Sequence, residues 1–309
     1  MNDVTVIIPT YNRQNKLIKR AVKSILIQTN QNFEVLIIDD NKDAETSENV
    51  KSLISSFNDK RIKYLKNEVN MGGAKSRNKG MLHATGRYIS FLDDDDFYLK
   101  DKLEKQVEFL DNSDFDFVIS NLAIVDTHMK IKDLRTFGWF KNGSFTNQEL
   151  ITEHYKYHLT GTPTFMFKKE LLTDVKGFPN VSMGHEFHLV DLVLRKGYKL
   201  GYIDEYFTIA VAHEGNRIST STKRQEQLEE LLEFKLTKLK DLKLVDKKRI
   251  LYRHFLASTS NYLTQNKRKA AIFTAIKAFY CKPVAFSYDV FKIIAIKINN
   301  KGVELNELK

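Results

Sequence analysis

A single cysteine, Cys281, and only four prolines occur in a chain of 309 residues. One thiol excludes an internal disulfide framework and any zinc site built from several cysteines, and it suits a reducing compartment. Glycine is modest too, at 13 residues, so a collagen-like or low-complexity chain is excluded. No stretch of 18 residues is free of charge, which argues against a membrane-spanning helix. The first residues run straight into an apolar β-branched segment, without the basic region and apolar core of a secretory signal. These features predict a soluble, cytoplasmic protein. What remains is an ordinary globular mixture, 42% hydrophobic and 28% charged. The length suits two average domains, or one large α/β unit with an appendage.

Charge is unevenly distributed. Residues 1–215 hold 29 Lys and Arg against 30 Asp and Glu, whereas residues 216–309 hold 20 against 9, so the tail carries the whole surplus of the +10 net charge. The tail is expected either to meet something anionic, a membrane surface or a polyanion, or to be a lysine-rich solvated helical face.

Two textures alternate over the first 120 residues. Short β-branched or apolar runs at 4–8, 33–38, 61–65, 88–92 and 115–120 are predicted strands, the first ended by Pro9. Between them come helical patterns, such as Leu17, Ala21 and Ile25, then stretches near 46–57, 73–84 and 100–111, with Gly86 closing the third. This alternation predicts an α/β fold with a mostly parallel, Rossmann-like central sheet flanked by helices. Ligands of such sheets bind beyond the carboxyl ends of the strands. Three polar clusters sit there: Pro9-Thr10-Tyr11-Asn12, Asp39-Asp40-Asn41 and Asp93-Asp94-Asp95-Asp96. Beyond residue 216 the pattern turns helical. Leu228, Leu231, Leu232, Leu239 and Leu242 come first, then Ile272, Phe273, Ile276 and Phe279, and after Pro283 a last apolar series from Phe286.

Four consecutive carboxylates repel one another and must be relieved by solvent, by raised pKa values or by a cation. Oxygen donors of this kind select Mg²⁺ or Mn²⁺. A solvated acidic turn is the competing explanation. A second cluster, Asn70-Met71-Gly72-Gly73-Ala74-Lys75-Ser76-Arg77-Asn78, places Lys75 and Arg77 in a first helical turn, where N–H groups also favour anions. It lacks the Gly-Lys-Ser/Thr ending of a Walker loop and is not G-x-G-x-x-G.

Together the motifs resemble glycosyltransferase family 2. They are Val6-Ile7-Ile8-Pro9-Thr10-Tyr11-Asn12-Arg13, Phe33-Glu34-Val35-Leu36-Ile37-Ile38-Asp39-Asp40, Asn70-x-Gly72-x-Ala74-x-x-Arg77-Asn78-x-Gly80 and Phe91-Leu92-Asp93-Asp94-Asp95-Asp96. The resemblance implies a GT-A catalytic domain over 1–215, with a nucleotide-binding half (1–120) and an acceptor half (121–215), followed by a basic helical region at 216–309. It implies a nucleotide-sugar donor, UDP-linked foremost. Pro9, Thr10, Tyr11 and Asp40 would lie against the nucleoside, Arg77 would approach the diphosphate or the base edge, and Lys75 is a looser candidate for the same role. Asp93 and Asp95 would form the D-x-D pair, with Asp95 a direct ligand of Mn²⁺ or Mg²⁺ and Asp94 facing the ribose or sugar. A second register, Asp94 with Asp96, stays open. His213, after the apolar run 207–212, would complete the metal set. Inversion by direct displacement needs one carboxylate base. Glu186, in Gly184-His185-Glu186-Phe187-His188-Leu189-Val190-Asp191, is the first candidate and Asp191 the second; a mere cap or a pair with Arg195 is the structural alternative for Glu186.

The acceptor implied is a glycan or lipid-linked glycan of cell-surface polysaccharide assembly. Lysines beside apolar helical faces suit a peripheral contact with the inner face of the cell membrane. A helical bundle packed on the catalytic domain, or a homo-oligomer contact, is the other use of the tail. A nucleic-acid-binding module is disfavoured, because the tail lacks the aromatic and glycine pattern of common RNA modules and the acidic rim repels phosphates without metal. No nucleic acid is expected. A nucleotidyltransferase would carry its glycine-rich loop directly after the first strand, where this chain has Pro9-Thr10-Tyr11-Asn12.

Overall fold

The computed structural model describes residues 2–140, 145–159, 161–212, 223–238 and 243–298, with side chains to residue 290. Its first half is the predicted alternation: β1 (Val4–Thr10), α1 (Asn15–Leu26), β2 (Phe33–Asp39), α2 (Ala44–Ser55), β3 (Ile62–Lys66), α3 (Gly73–His83) and β4 (Tyr88–Phe91). β1 pairs in parallel with both β2 and β4, and β2 with β3. β2 is buried throughout and β1 nearly so, as strands covered on both faces must be.

Pro9 does not end β1. The strand continues to Thr10, which pairs with Asp39. Ladder pairing to β4 stops at Ile7, so the missing N–H of Pro9 falls where no strand needs it. α3 lies close against β1: a Cβ on Gly80 would sit 2.6 Å from Ile7 Cγ2, so glycine alone permits this approach.

The second half comprises β5 (Phe97–Tyr98), α4 (Lys102–Asp111), β6 (Phe117–Asp126), β7 (Ile131–Arg135), α5 (Asn147–Tyr157), β8 (Met166–Lys168), α6 (Lys169–Asp174), α7 (His185–Arg195) and β9 (Leu200–Ala212). The sheet order is β3-β2-β1-β4-β8-β6-β9-β5, with β7 paired on β6. β8 is antiparallel to both β4 and β6 and separates them. The run at 115–120, read as the next parallel strand, is therefore one place removed and pairs in parallel with β9 instead. A three-residue strand lacks the length to announce itself in a sequence. Its Phe167 fills the gap by stacking on Phe117, with centroids 5.3 Å apart.

Four helices follow: α8 (Arg224–Lys238), α9 (Leu244–Thr264), α10 (Arg268–Cys281) and α11 (Pro283–Ile298). Leu231 of α8 and Ile250 of α9 are buried in the same cluster as Phe187, Leu189 and Val190 of α7. The core thus continues from the acceptor half into the C-terminal helices. Leu239, Leu242 and His213 lie outside the described residues. Pro283 opens α11, where its missing N–H costs nothing. α10 turns its small residues Ala271, Thr274 and Ala278 inward and leaves Ile272, Phe273, Ile276, Phe279 and Tyr280 exposed. Among the described residues, no helix is long and apolar enough to cross a membrane.

Glu34 ties the sheet's lower edge. Its carboxylate accepts from Thr5 Oγ1 at 2.7 Å, Thr85 N at 2.6 Å and Lys63 Nζ at 2.8 Å. Burial acts upward on its pKa, but Lys63 and the Thr donors outweigh it and hold the group at about 2, against an ordinary 4.5. A depressed folded pKa means this stabilisation is present above pH 4.5 and is lost as the pH falls toward 2. Glu34→Gln is expected to lower stability at pH 7 by about 1–2 kcal/mol and to flatten that acid-side loss, as read from urea denaturation at pH 7 and pH 3.

Candidate active site

The carboxyl ends of β1, β2 and β4 bring residues 10–12, 39–41 and 92–96 to one rim of the sheet. Asn12 takes a left-handed backbone (φ 50°), and its N–H donates to Asn41 Oδ1 at 2.5 Å. Asn41 in turn donates through its backbone N and Nδ2 to Asp39 Oδ1 at 2.8 and 2.6 Å. Tyr64 donates to the other oxygen of Asp39 at 2.5 Å. Asp39 thereby fastens the ends of three strands.

Asp40 is similarly engaged. One oxygen accepts from Asn67 Nδ2 at 2.8 Å and Met71 N at 2.7 Å, the other from Asn70 Nδ2 at 3.0 Å and Gly72 N at 2.8 Å. Four donors fill the four acceptor positions of a carboxylate. In this state Asp40 holds the loop that starts α3; its expected role as an acceptor of hydrogen bonds from a nucleoside remains a proposal. Gly72 caps that helix at φ 80°.

The aspartate run is resolved by alternation. Asp94 and Asp96 are buried, whereas the side chains of Asp93 and Asp95 are 35% and 22% exposed. Each has a partner. Arg77 Nη2 donates to Asp93 at 2.5 Å, and Arg13 reaches Asp94 at 2.7 Å and Asp95 at 3.1 Å. Arg20 donates to the backbone oxygen of Asp95, and Asp96 accepts from Val211 N of β9 at 3.0 Å. Burial pushes the Asp94 carboxyl up to about 6 in spite of Arg13. Burial, reinforced by the charges of Asp93 and Asp95, pushes Asp96 well above the usual range.

Among the described residues, no group of three or more His, Cys, Asp or Glu side chains is placed to hold a metal ion. The exposed pair nevertheless suits one by donor chemistry. Two hard carboxylate oxygens at a solvent-reaching rim fit a dication that keeps open positions for phosphate.

Tyr11 stands 49% exposed at the end of β1, beside buried Thr10 and half-buried Pro9. Lys75 is exposed on the first turn of α3. Arg77 lies over the Phe178 ring, 5.6 Å from its centroid. Asn78 clamps that phenylalanine by donating to its carbonyl and accepting from its N–H, both at 2.8 Å. The central motif thus binds the nucleotide half to Gly177-Phe178 of the acceptor half.

Glu186 occupies the first turn of α7 after Gly184, which has φ 71°. It is half-buried, makes no hydrogen bond or ion pair with the described residues, and lines a cavity of about 790 Å³. Asp191 is a different case. Its oxygens accept from Tyr155 OH at 2.7 Å and Arg195 Nε at 2.9 and 3.0 Å, and it is 5% exposed. A buried carboxylate with both oxygens engaged is less open to an acceptor hydroxyl than the half-buried Glu186, so Glu186 stays the first candidate and Asp191 the second. The partner of Arg195 is Asp191, not Glu186.

Sequence reading missed the roles of Arg20, Asn78 and Phe178, and quoted Arg13 without one. Arg13 lies in the segment just before α1 and Arg20 within the helix, so no single helical period joined them in the sequence.

Comparison with known proteins agrees with this architecture. The solved structure of S. aureus TarS 1–349 in complex with UDP-GlcNAc superposes with a TM-score of 0.61 at 22% identity, covering 92% of this chain and 82% of that one. The fold is accordingly GT-A. The family model "Glycosyl transferase family 2" matches residues 5–175. An uncharacterized glycosyltransferase of Methanocaldococcus jannaschii is 32% identical over 206 residues, 66% of this chain and 68% of the relative. A GalNAc(5)-diNAcBac-PP-undecaprenol β-1,3-glucosyltransferase of Campylobacter jejuni is 28% identical over 97% of this chain and 90% of its own length. Against other matched glycosyltransferases the chain spans as little as 19% of their length. The chain belongs to glycosyltransferase family 2, as its four motifs implied. The match ends before Glu186.

Asp40→Asn is expected to leave two of the loop's donors facing an amide NH₂ and to cost about 1–3 kcal/mol in urea denaturation. Unchanged stability with weakened nucleotide binding would place Asp40 at the nucleoside.

Proposed function

We propose that this glycosyltransferase moves a sugar from a UDP-sugar to a hydroxyl of a lipid-linked glycan, with inversion, for cell-surface polysaccharide assembly. The observation that carries the reading is the pair of solvent-reaching carboxylates, Asp93 and Asp95, backed by Arg13 and Arg77 at the sheet rim. The exposed Tyr11 ring offers a stacking face for a base beside them. The acceptor class is supported by the Campylobacter relative, whose name specifies an undecaprenol diphosphate-linked glycan.

In the proposed reaction, Glu186 takes the proton of the acceptor hydroxyl as its oxygen bonds to the anomeric carbon and the bond from that carbon to the diphosphate breaks. The electron pair leaves with the nucleoside diphosphate. Arg77, released from Asp93, meets that charge. Mn²⁺ or Mg²⁺ held by Asp93 and Asp95 would neutralise the leaving group. His213 is proposed as a further ligand because it follows Val211, which bonds Asp96, by two residues.

The C-terminal helices would face the bilayer. The exposed bulky side of α10 lies among Lys269, Lys277 and Lys282, a combination that suits an anionic interface.

Three outcomes test this. Asp95→Ala is expected to abolish turnover with Mn²⁺, and full activity in that variant would remove the metal role. Glu186→Gln should keep UDP affinity while transfer falls about 10²–10⁴-fold. Asp191→Asn should lower stability with transfer per folded molecule retained, and the reverse pattern would make Asp191 the base. For the membrane contact, Phe273→Ser with Phe279→Ser should weaken co-sedimentation with vesicles rich in anionic lipid. Equal sedimentation would place the contact elsewhere, and loss of a dimer instead would show that a second copy covers this face.

A further inference from the structure

The cavity that Glu186 lines lies between β7, α5 and α7 on one side and α8 and α9 on the other. Four cationic side chains face it, Arg135, Arg224, Lys235 and Arg253, against two carboxylates, Asp133 and Glu186. Asp133 is already paired with Arg135 at 3.4 Å. Lys235 is only 5% exposed; its ammonium contacts His158 Nε2 and lies 4.7 Å from the Phe187 ring, with no carboxylate in ion-pair range among the described residues. Arg224 and Arg253 likewise make no ion pair or hydrogen bond with the described residues.

Cations without a carboxylate in ion-pair range, gathered in a half-closed space, are costly to the fold. The His158 and Phe187 contacts of Lys235 and the more distant charge of Asp289 near Arg253 replace the lost water only in part, and the cations repel one another. Burial and the nearby Arg253 push Lys235 down to about 7, and burial with Arg249 and Arg135 pushes Arg253 down to about 10. An anion relieves both effects. The volume suits a diphosphate with one or two sugar rings, and Trp139, Tyr157 and Phe187 offer apolar faces to those rings.

We infer that this cavity receives the diphosphate of the lipid-linked acceptor on Lys235, Arg224 and Arg253, which delivers the acceptor's sugar to Glu186. The inference rests on the transferase reading above and adds the acceptor's anionic group and the residues that recognise it. Guanidinium groups suit this task, since their fixed fork matches phosphate oxygens.

Two measurements test it. The first is calorimetric binding of inorganic pyrophosphate in chelator, conditions that disfavour any metal-dependent site. The wild-type protein is expected to bind. Arg224→Gln and Arg253→Gln should each weaken binding about tenfold, while Arg253→Lys, which keeps the charge and loses the fork, should bind more weakly than wild type and more tightly than Arg253→Gln. Removing an unpaired buried charge should leave thermal stability equal or higher, so loss of binding in Arg253→Gln cannot be ascribed to unfolding. The second is the ratio of kcat/KM for a sugar on farnesyl diphosphate to that for the same sugar on a neutral alkyl chain. Arg253→Gln should reduce this ratio about tenfold, through KM. Equal pyrophosphate affinity in wild type and both glutamine variants, or an unaltered ratio, overturns the inference. Failure of the wild-type protein to release nucleotide from any nucleotide sugar would instead defeat the transferase reading, while the pyrophosphate titration still reports on the cavity.

Discussion

Four carboxylates crowded after β4 set the terms for the rest of the molecule. Adjacent like charges at this spacing repel strongly wherever water is displaced, and a turn closed by Asp96 N–H on the Asp93 carbonyl at 3.1 Å divides them into a buried pair and a solvent-reaching pair. Three cations answer them: Arg13 from the segment before α1, Arg20 from α1, and Arg77 from α3. Those helices follow β1 and β3, so their placement depends on the parallel register of the sheet. The rim is thus a cluster in which three guanidinium groups answer four carboxylates.

The loop that starts α3 is held with equal economy of parts. Asp40 grips its backbone, Gly72 permits the turn, Gly80 lets the helix settle on Ile7, and Asn78 clamps Phe178. Arg77 is therefore presented from a rigid support. The acceptor half is organised differently, around the aromatic packing of Phe187 with His154, Tyr155 and Phe234. Because α8 supplies Phe234 and Lys235, the C-terminal helices complete the wall opposite Glu186.

Legibility in the sequence followed the length and regularity of the elements. The β-branched runs of β1 and β2 and the order of the four motifs disclosed the parallel part of the sheet and the family, since each run is buried and ends in a polar cluster. β8 escaped notice because three residues carry no period. The partners of Asp191 were hidden because Tyr155 and Arg195 lie on two helices and only one of them is four residues away. The loop contacts of Asp40 were hidden for a related reason: an acidic residue at a strand end reads the same whether it faces a ligand, its own loop or both. The cationic cavity draws on Arg135, Arg224, Lys235 and Arg253, which span 118 positions and show in the sequence only as part of a basic surplus.

The central claim is that the exposed carboxylates and a dication together hold the nucleotide's diphosphate. Calorimetric titration of UDP into the wild-type protein, with Mn²⁺ and then in chelator, tests it most directly. The account predicts that affinity falls at least about tenfold when the metal is removed. An identical affinity under both conditions would contradict it.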